Sequence, residues 1–109
     1  MMTRNKLKKH AILKKSDKFD KIFKNGITQS GVHVSIIYMD ADCKKVGFAV
    51  SKKIQNSVNR NRQKRLLREI YRLNQNKFPE NKHYILFSKG TSDNLKELQK
   101  EILNLLFNI

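Results

Sequence analysis

Acidic residues are scarce in this chain, and that scarcity shapes everything else. Nine Asp and Glu stand against 24 Lys and Arg, which gives a formal net charge of +15 and a pI of about 10.2. With no acidic half to balance it, such a chain associates with polyanions at ordinary salt. Cysteine is nearly absent too. A lone Cys43 excludes an intrachain disulfide and a cysteine-built metal cluster, and it fits a reducing, cytoplasmic setting. No apolar run approaches the roughly 20 residues of a transmembrane helix. The basic first residues lack the apolar stretch of a secretory signal. At 109 residues and 39% apolar content the chain supports one small core and not two domains.

The residues of catalysis are missing as a set. The acids are scattered without a pair at a spacing suited to acid–base work, and the three histidines are isolated. No serine has an evident base partner, and no zinc-protease, CxxC or glycine-rich phosphate-loop pattern occurs. Many cations and few candidate bases favour binding over chemistry. Two acids near Cys43, Asp40 and Asp42, read as solvated loop residues rather than cation ligands.

What the chain does have is concentrated between residues 44 and 72, where ten Lys or Arg accompany a single acid, Glu69. The segment opens with the alternation Val46-Gly47-Phe48-Ala49-Val50, suited to a half-buried strand. Lys52 and Lys53 follow, then a turn-prone patch at Asn56, Ser57 and Asn59 with side-chain oxygens able to cap a helix. From about Val58 the spacing is helical. Leu66, Ile70 and Leu73 fall on one side with Leu67 at its margin. Arg60, Lys64, Arg68 and Arg72 repeat every fourth residue and, with Arg65, form a broad cationic face, with Arg62 and Glu69 on the seam. Like charges one turn apart cost helix stability, so the face calls for hydration or an anionic partner. Its apolar side carries no Phe or Trp to insert into a bilayer, so nucleic acid is the better partner than membrane.

Before this segment, residues 1–15 read as a flexible basic arm able to track phosphates. Ser16 is placed to cap a short helix from Asp17 to about Lys24, closed by Asn25-Gly26, with Phe19, Ile22 and Phe23 as its stripe. A short strand near 27–30 is possible. From Gly31 to Met39 the chain alternates. Val32, Val34, Ile36 and Tyr38 are assigned to the core and His33, Ser35 and Ile37 to the other face, an assignment a one-residue slip reverses. His33 reads as an ordinary surface histidine.

After the basic helix, Asn74 to Lys82 holds the only proline and reads as a connector. His83 to Ser88 is a strand ended by Lys89-Gly90. Thr91 or Ser92 then caps a last helix whose stripe of Leu95, Leu98, Ile102, Leu105 and Leu106 packs on the sheet.

The order of residue types from Val46 to Glu69 closely resembles the signature of the bacterial ribonuclease P protein family. Ser51-Lys52-Lys53, Asn56, Val58, Arg60-Asn61-Arg62, Lys64-Arg65 and Arg68-Glu69 carry the match. Gln55 departs from it, standing where the family commonly has glycine. The resemblance implies an α/β (α+β) domain over 16–109: a small mixed four-stranded sheet, three helices and a left-handed βαβ crossover, against the usual right-handed rule.

The resemblance further implies a protein subunit of an endoribonuclease that removes the 5′ leader of precursor tRNA, with catalysis and Mg²⁺ held mainly by the RNA subunit. Lys52, Lys53, Asn56, Arg60, Asn61, Arg62, Lys64, Arg65 and Arg68 are then expected to grip that RNA. Phe19, Phe23, Ile37, Tyr38, Lys52 and Lys89 are expected to line a cleft for the single-stranded leader, contacting bases whatever their sequence. Gly90 replaces a second basic residue common at that strand end. The partners implied are ribonuclease P RNA and precursor tRNA, with a monomeric protein outside the holoenzyme and no membrane. Two rivals share the charge and size: a structural ribosomal protein, and a DNA-binding protein laying the basic helix in a major groove. Few Asn or Gln inside that helix argue against base reading.

Overall fold

A computed structural model of the protein describes residues 12–13, 19–54 and 56–109. Most of the expected basic arm, the Ser16 cap with Asp17, and Gln55 lie outside the described residues. The elements run α1 (Phe19–Asn25), β1 (Ile27–Ser30), β2 (Val34–Asp40), β3 (Lys45–Val50), α2 (Ser57–Leu73), a 3₁₀ turn at Gln75–Lys77, β4 (Lys82–Ser88) and α3 (Leu95–Phe107). The four strands form one mixed sheet in the order β1-β2-β4-β3. β2 is antiparallel to both neighbours, whereas β3 and β4 are parallel, so α2 makes the crossover between them.

The sheet is buried on both faces, but unequally. On one face Val34, Ile36, Tyr38, Val46, Phe48, Tyr84 and Leu86 meet Leu67, Ile70 and Tyr71 of α2 and Leu98, Ile102, Leu105 and Leu106 of α3. The last helix packs as its stripe predicts, with one correction at its start. Asn94, not Thr91 or Ser92, is the N-cap: its side-chain oxygen accepts from the Glu97 amide at 3.0 Å. Ser92 instead donates to the Glu97 carboxylate and accepts from the Asn94 amide, holding the cap in place. Among the described residues the other face carries the short α1 and Leu13, with Leu13, Phe19 and Ile22 over Ile37 and Ile85.

The strand assignment over 31–39 is corrected at one end. Val34, Ile36 and Tyr38 are core as expected, but Val32 lies in the β1–β2 turn and is 74% exposed. The alternation that places it inward ends with the strand at Val34. His33 is no loose surface side chain: its Nδ1 lies 2.6 Å from the Thr91 hydroxyl, and the Glu101 carboxylate accepts from the His33 and Val34 amides at 2.7 Å each. The turn between β1 and β2 is thereby anchored to α3.

Aromatic rings knit the core beneath α2. Phe78 stands edge-on between Tyr71 and Tyr84, with centroids 4.8 Å and 5.3 Å away, and the Tyr84 hydroxyl donates to the Pro79 carbonyl at 2.7 Å. Burial pushes the Tyr71 hydroxyl up from its ordinary 10.0 to about 12, helped by the nearby Glu80 charge, and raises Tyr84 for the same reasons. A pKa raised on folding contributes stability that is whole below the unfolded value and lost as pH rises through the folded one. Equilibrium unfolding should therefore show stability little affected by these groups up to about pH 10 and falling between there and about 12, with tyrosinate absorbance appearing alongside unfolding. Gly47 supplies a second test. A Cβ there would collide with the Phe19 ring, which lies directly on the strand. Gly47→Ala should cost about 1–3 kcal/mol in urea denaturation, the range of overpacking; a loss under about 0.5 kcal/mol would contradict the packing of that ring.

Candidate nucleic-acid interface

The cationic face is displayed by a helix that is locally well specified. Asn56 caps α2, its Oδ1 accepting from the Val58 amide at 2.7 Å, and the C-terminal Asn74 donates to the Ile70 carbonyl and to Gln99 of α3 at 2.8 and 3.0 Å. The buried face differs from the expected one. Leu67, Ile70 and Tyr71 are at most 1% exposed, Leu66 sits at the margin, and Leu73 is 44% exposed. The expected stripe leaves out Tyr71, whose ring, one turn from Leu67, draws the helix round onto the sheet. Gln63 completes this face. It is buried because Ser88 donates to its Oε1 at 2.6 Å while its Nε2 donates to the Ser92 carbonyl at 2.9 Å.

With that face fixed, the cations are distributed. Asn61, Arg62, Arg65 and Arg68 are exposed, and Arg60 and Lys64 half-buried. Arg60 donates to the Ile54 carbonyl at 2.7 Å, holding the turn that carries the exposed Lys52 and Lys53. The Arg68 guanidinium lies 5.5 Å from the centre of the Phe48 ring. Arg62 makes a long, exposed pair with Asp93 at 3.4 Å, a weak contact in water. Glu69 accepts two bonds from Arg72, at 3.0 and 2.5 Å, and hydrogen bonding to that guanidinium holds its carboxyl below the ordinary range. One acid thus occupies one arginine, and the helix remains strongly positive.

The sparsely covered face of the sheet provides the second part. Ile37, Ile85 and Gly47 stand side by side on adjacent strands, and Ser35, Phe87 and Ala49 form the next row. Phe19 and Ile22 of α1 cover the first row. Phe87 and Ala49 in the second are only half-buried. Phe23 is 44% exposed and meets Phe19 edge-on at 6.3 Å, so the two rings have separate parts: Phe19 packs the core and Phe23 borders solvent. Lys89 continues β4 past this row, its Nζ donating to the Ser30 hydroxyl and the Gly31 carbonyl at 3.1 and 2.5 Å. Lys52 and Lys53 lie beyond the end of β3.

Tyr38 is removed from this set. Alternation turns its ring to the opposite face, where it is 9% exposed in the core under α2 and α3. Phe87 and Ala49 were missed by sequence reasoning. Counting back by two from Lys89 points to Phe87, but only the pairing register places it beside Ala49. Among the described residues no group of three or more His, Cys, Asp or Glu is arranged to hold a metal ion.

Together these features define a small, strongly basic α/β protein, with cations along one helix and an apolar floor open beside more of them. The family model described as Ribonuclease P matches residues 7–109. The ribonuclease P protein component of Pelotomaculum thermopropionicum is 35% identical over 87% of this chain and 88% of its own length. That of Bacillus pumilus is 35% identical over 91% and 87%. The solved ribonuclease P protein of Thermotoga maritima superposes with a TM-score of 0.80, covering 89% of this chain and 96% of that one at 23% identity. The chain belongs to the ribonuclease P protein family and is a subunit of that tRNA-processing ribonucleoprotein endoribonuclease. The ribosomal and DNA-binding rivals fall away with this assignment.

The backbone at Gly90 favours glycine over the cation that the resemblance leads one to expect there. Its φ is +77°, a region L side chains rarely adopt, and a Cβ there would come within 2.5 Å of the Ile54 Cδ1 atom. Restoring a cation by Gly90→Lys should therefore lower stability by about 1–2 kcal/mol, the cost of left-handed backbone, rather than tighten RNA binding. Urea unfolding checks this; unchanged stability contradicts it.

Proposed function

We propose that the two surfaces have separate duties. Lys52, Lys53, Asn56, Arg60, Asn61, Arg62, Lys64, Arg65 and Arg68 grip ribonuclease P RNA, while the half-open row of the sheet receives the 5′ leader of precursor tRNA. In that cleft Phe23 offers an exposed ring, with Phe19 supporting it from below. Ile37 underlies the floor, and Lys52 and Lys89 meet the leader's phosphates. Base contact of this kind tolerates any sequence, as a variable leader requires. The observation that carries the reading is the pairing of an exposed Phe23 with the half-buried Phe87 and Ala49 on a face whose far end is cationic.

Chemistry belongs to the RNA in this reading. Mg²⁺ is assigned mainly to the RNA subunit, where it activates water for phosphodiester hydrolysis. This chain contributes by neutralising phosphate repulsion and retaining precursor over mature tRNA, which lacks the leader. It acts in the cytoplasm and is monomeric until it joins the RNA. No helix among the described residues is long and apolar enough to cross a membrane.

Phe23→Ala in the reconstituted holoenzyme should erode the preference for precursor over mature tRNA by roughly 5- to 100-fold, the worth of about one stacked base. Affinity for the RNA subunit should change little. Retained preference in competition binding would overturn the leader assignment. Replacing Arg60, Arg62 and Arg65 together with alanine should flatten the log–log salt dependence of RNA-subunit binding, by roughly 0.7–0.9 per lost phosphate contact. An unchanged slope would count against the α2 face.

A further inference from the structure

The rotation of α2 that buries Tyr71 leaves an apolar line at the edge of the core, packed against it on one side and open to solvent on the other. Leu66 is only half-buried, and Leu95 of α3 is half-buried opposite it. Between them lies an open groove of about 570 Å³, lined by Arg62, Arg65, Arg68, Glu69 and Arg72 together with the two leucines. A solvated charged face has no reason to keep an apolar floor, and a core helix has no reason to ring one with arginines. The combination matches what an unpaired nucleotide presents, an apolar base face attached to an anionic backbone. Arginine suits such a rim, because its planar guanidinium both stacks on bases and bonds phosphate in a fork. One of the rim arginines, Arg72, is already held by Glu69, which reduces the ordering cost of binding.

We propose that the groove between α2 and α3 receives an unpaired nucleotide of the RNA subunit, its base lying on Leu66 and Leu95 and its phosphates held by the arginine rim. The proposal rests on the reading of α2 as the RNA-subunit face and adds a base-receiving pocket to what is otherwise a phosphate clamp. Such a pocket gives the complex a salt-insensitive component, which phosphate contacts alone do not supply. The ring of cations favours RNA over an apolar protein segment as occupant.

The test is titration of the full chain with a bacterial ribonuclease P RNA across a series of KCl concentrations. Leu66→Ala with Leu95→Ala should weaken binding roughly five- to tenfold at every concentration, the effect of removing apolar side-chain area from beneath a base, and leave the log–log salt slope unchanged. Circular dichroism melting establishes that the variant is folded. If it is not, Leu95→Trp serves as reporter, because the chain contains no other tryptophan. Its emission should then be quenched by the RNA and not by heparin, a polyanion without bases. A folded double variant that binds as tightly as the parent would overturn the pocket and leave the groove to a protein partner or to solvent. Equal quenching by RNA and heparin would overturn it too. Failure of the underlying reading looks different: the Arg60, Arg62 and Arg65 replacement would then leave both affinity and slope untouched.

Discussion

The burial of Leu67, Ile70 and Tyr71 against the sheet is the contact that makes the rest of the molecule possible. Ten cations and one acid share residues 44–72, and like charges one turn apart cost about 0.2–0.5 kcal/mol each. Full burial of a large apolar side chain contributes about 1.5–3 kcal/mol, and this helix buries three of them on one face. Packing wins by a clear margin and holds together a row of charges that would disfavour an isolated helix. The residual repulsion is relieved when a polyanion lies along the row. The row of charge on α2 and its dependence on the core are thus two sides of one arrangement.

The unequal covering of the sheet follows the same logic. Two long helices close one face, whereas a seven-residue helix partly closes the other. Gly47 lets the Phe19 ring lie on the strand and seat α1 close to the sheet, leaving Phe23 exposed and the row of Phe87 and Ala49 half-open. Arg60 connects the two regions. By holding the Ile54 carbonyl it fixes the turn bearing Lys52 and Lys53, which lies between the cationic helix and the end of the open row. Lys89 and the Glu101 carboxylate brace the β1–β2 turn from either side. In this account the leader cleft and the RNA grip are adjacent parts of one rigid frame.

Much of this was legible in the residues. Alternation located β2, β3 and β4, helical spacing located α2 and α3, and the order of Ser51-Lys52-Lys53 and Arg60-Asn61-Arg62 pointed to the family. What could not be read depended on competition between elements. Leu66 and Leu73 fit an apolar stripe as well as Leu67 and Tyr71 do, and only the position of α3 and the bulk of the Tyr71 ring decide between them. Tyr38 could be assigned to either face until the pairing of Ile37 with Ile85 fixed the register. The buried network of Gln63, Ser88 and Ser92 joins residues far apart in sequence, so no local pattern announces it. Gly90 read as a lost cation, because its backbone angle and its contact with Ile54 exist only in the folded chain.

The central claim is that this chain binds and positions while a partner RNA performs the cleavage. It is tested most directly by assaying 5′ leader removal from precursor tRNA at low Mg²⁺ with three samples: the chain rigorously freed of RNA, a bacterial ribonuclease P RNA alone, and the two together. The account predicts no cleavage by the chain, slow cleavage by the RNA, and strongly enhanced cleavage by the mixture. Cleavage by the RNA-free chain, or no enhancement on mixing, would contradict it.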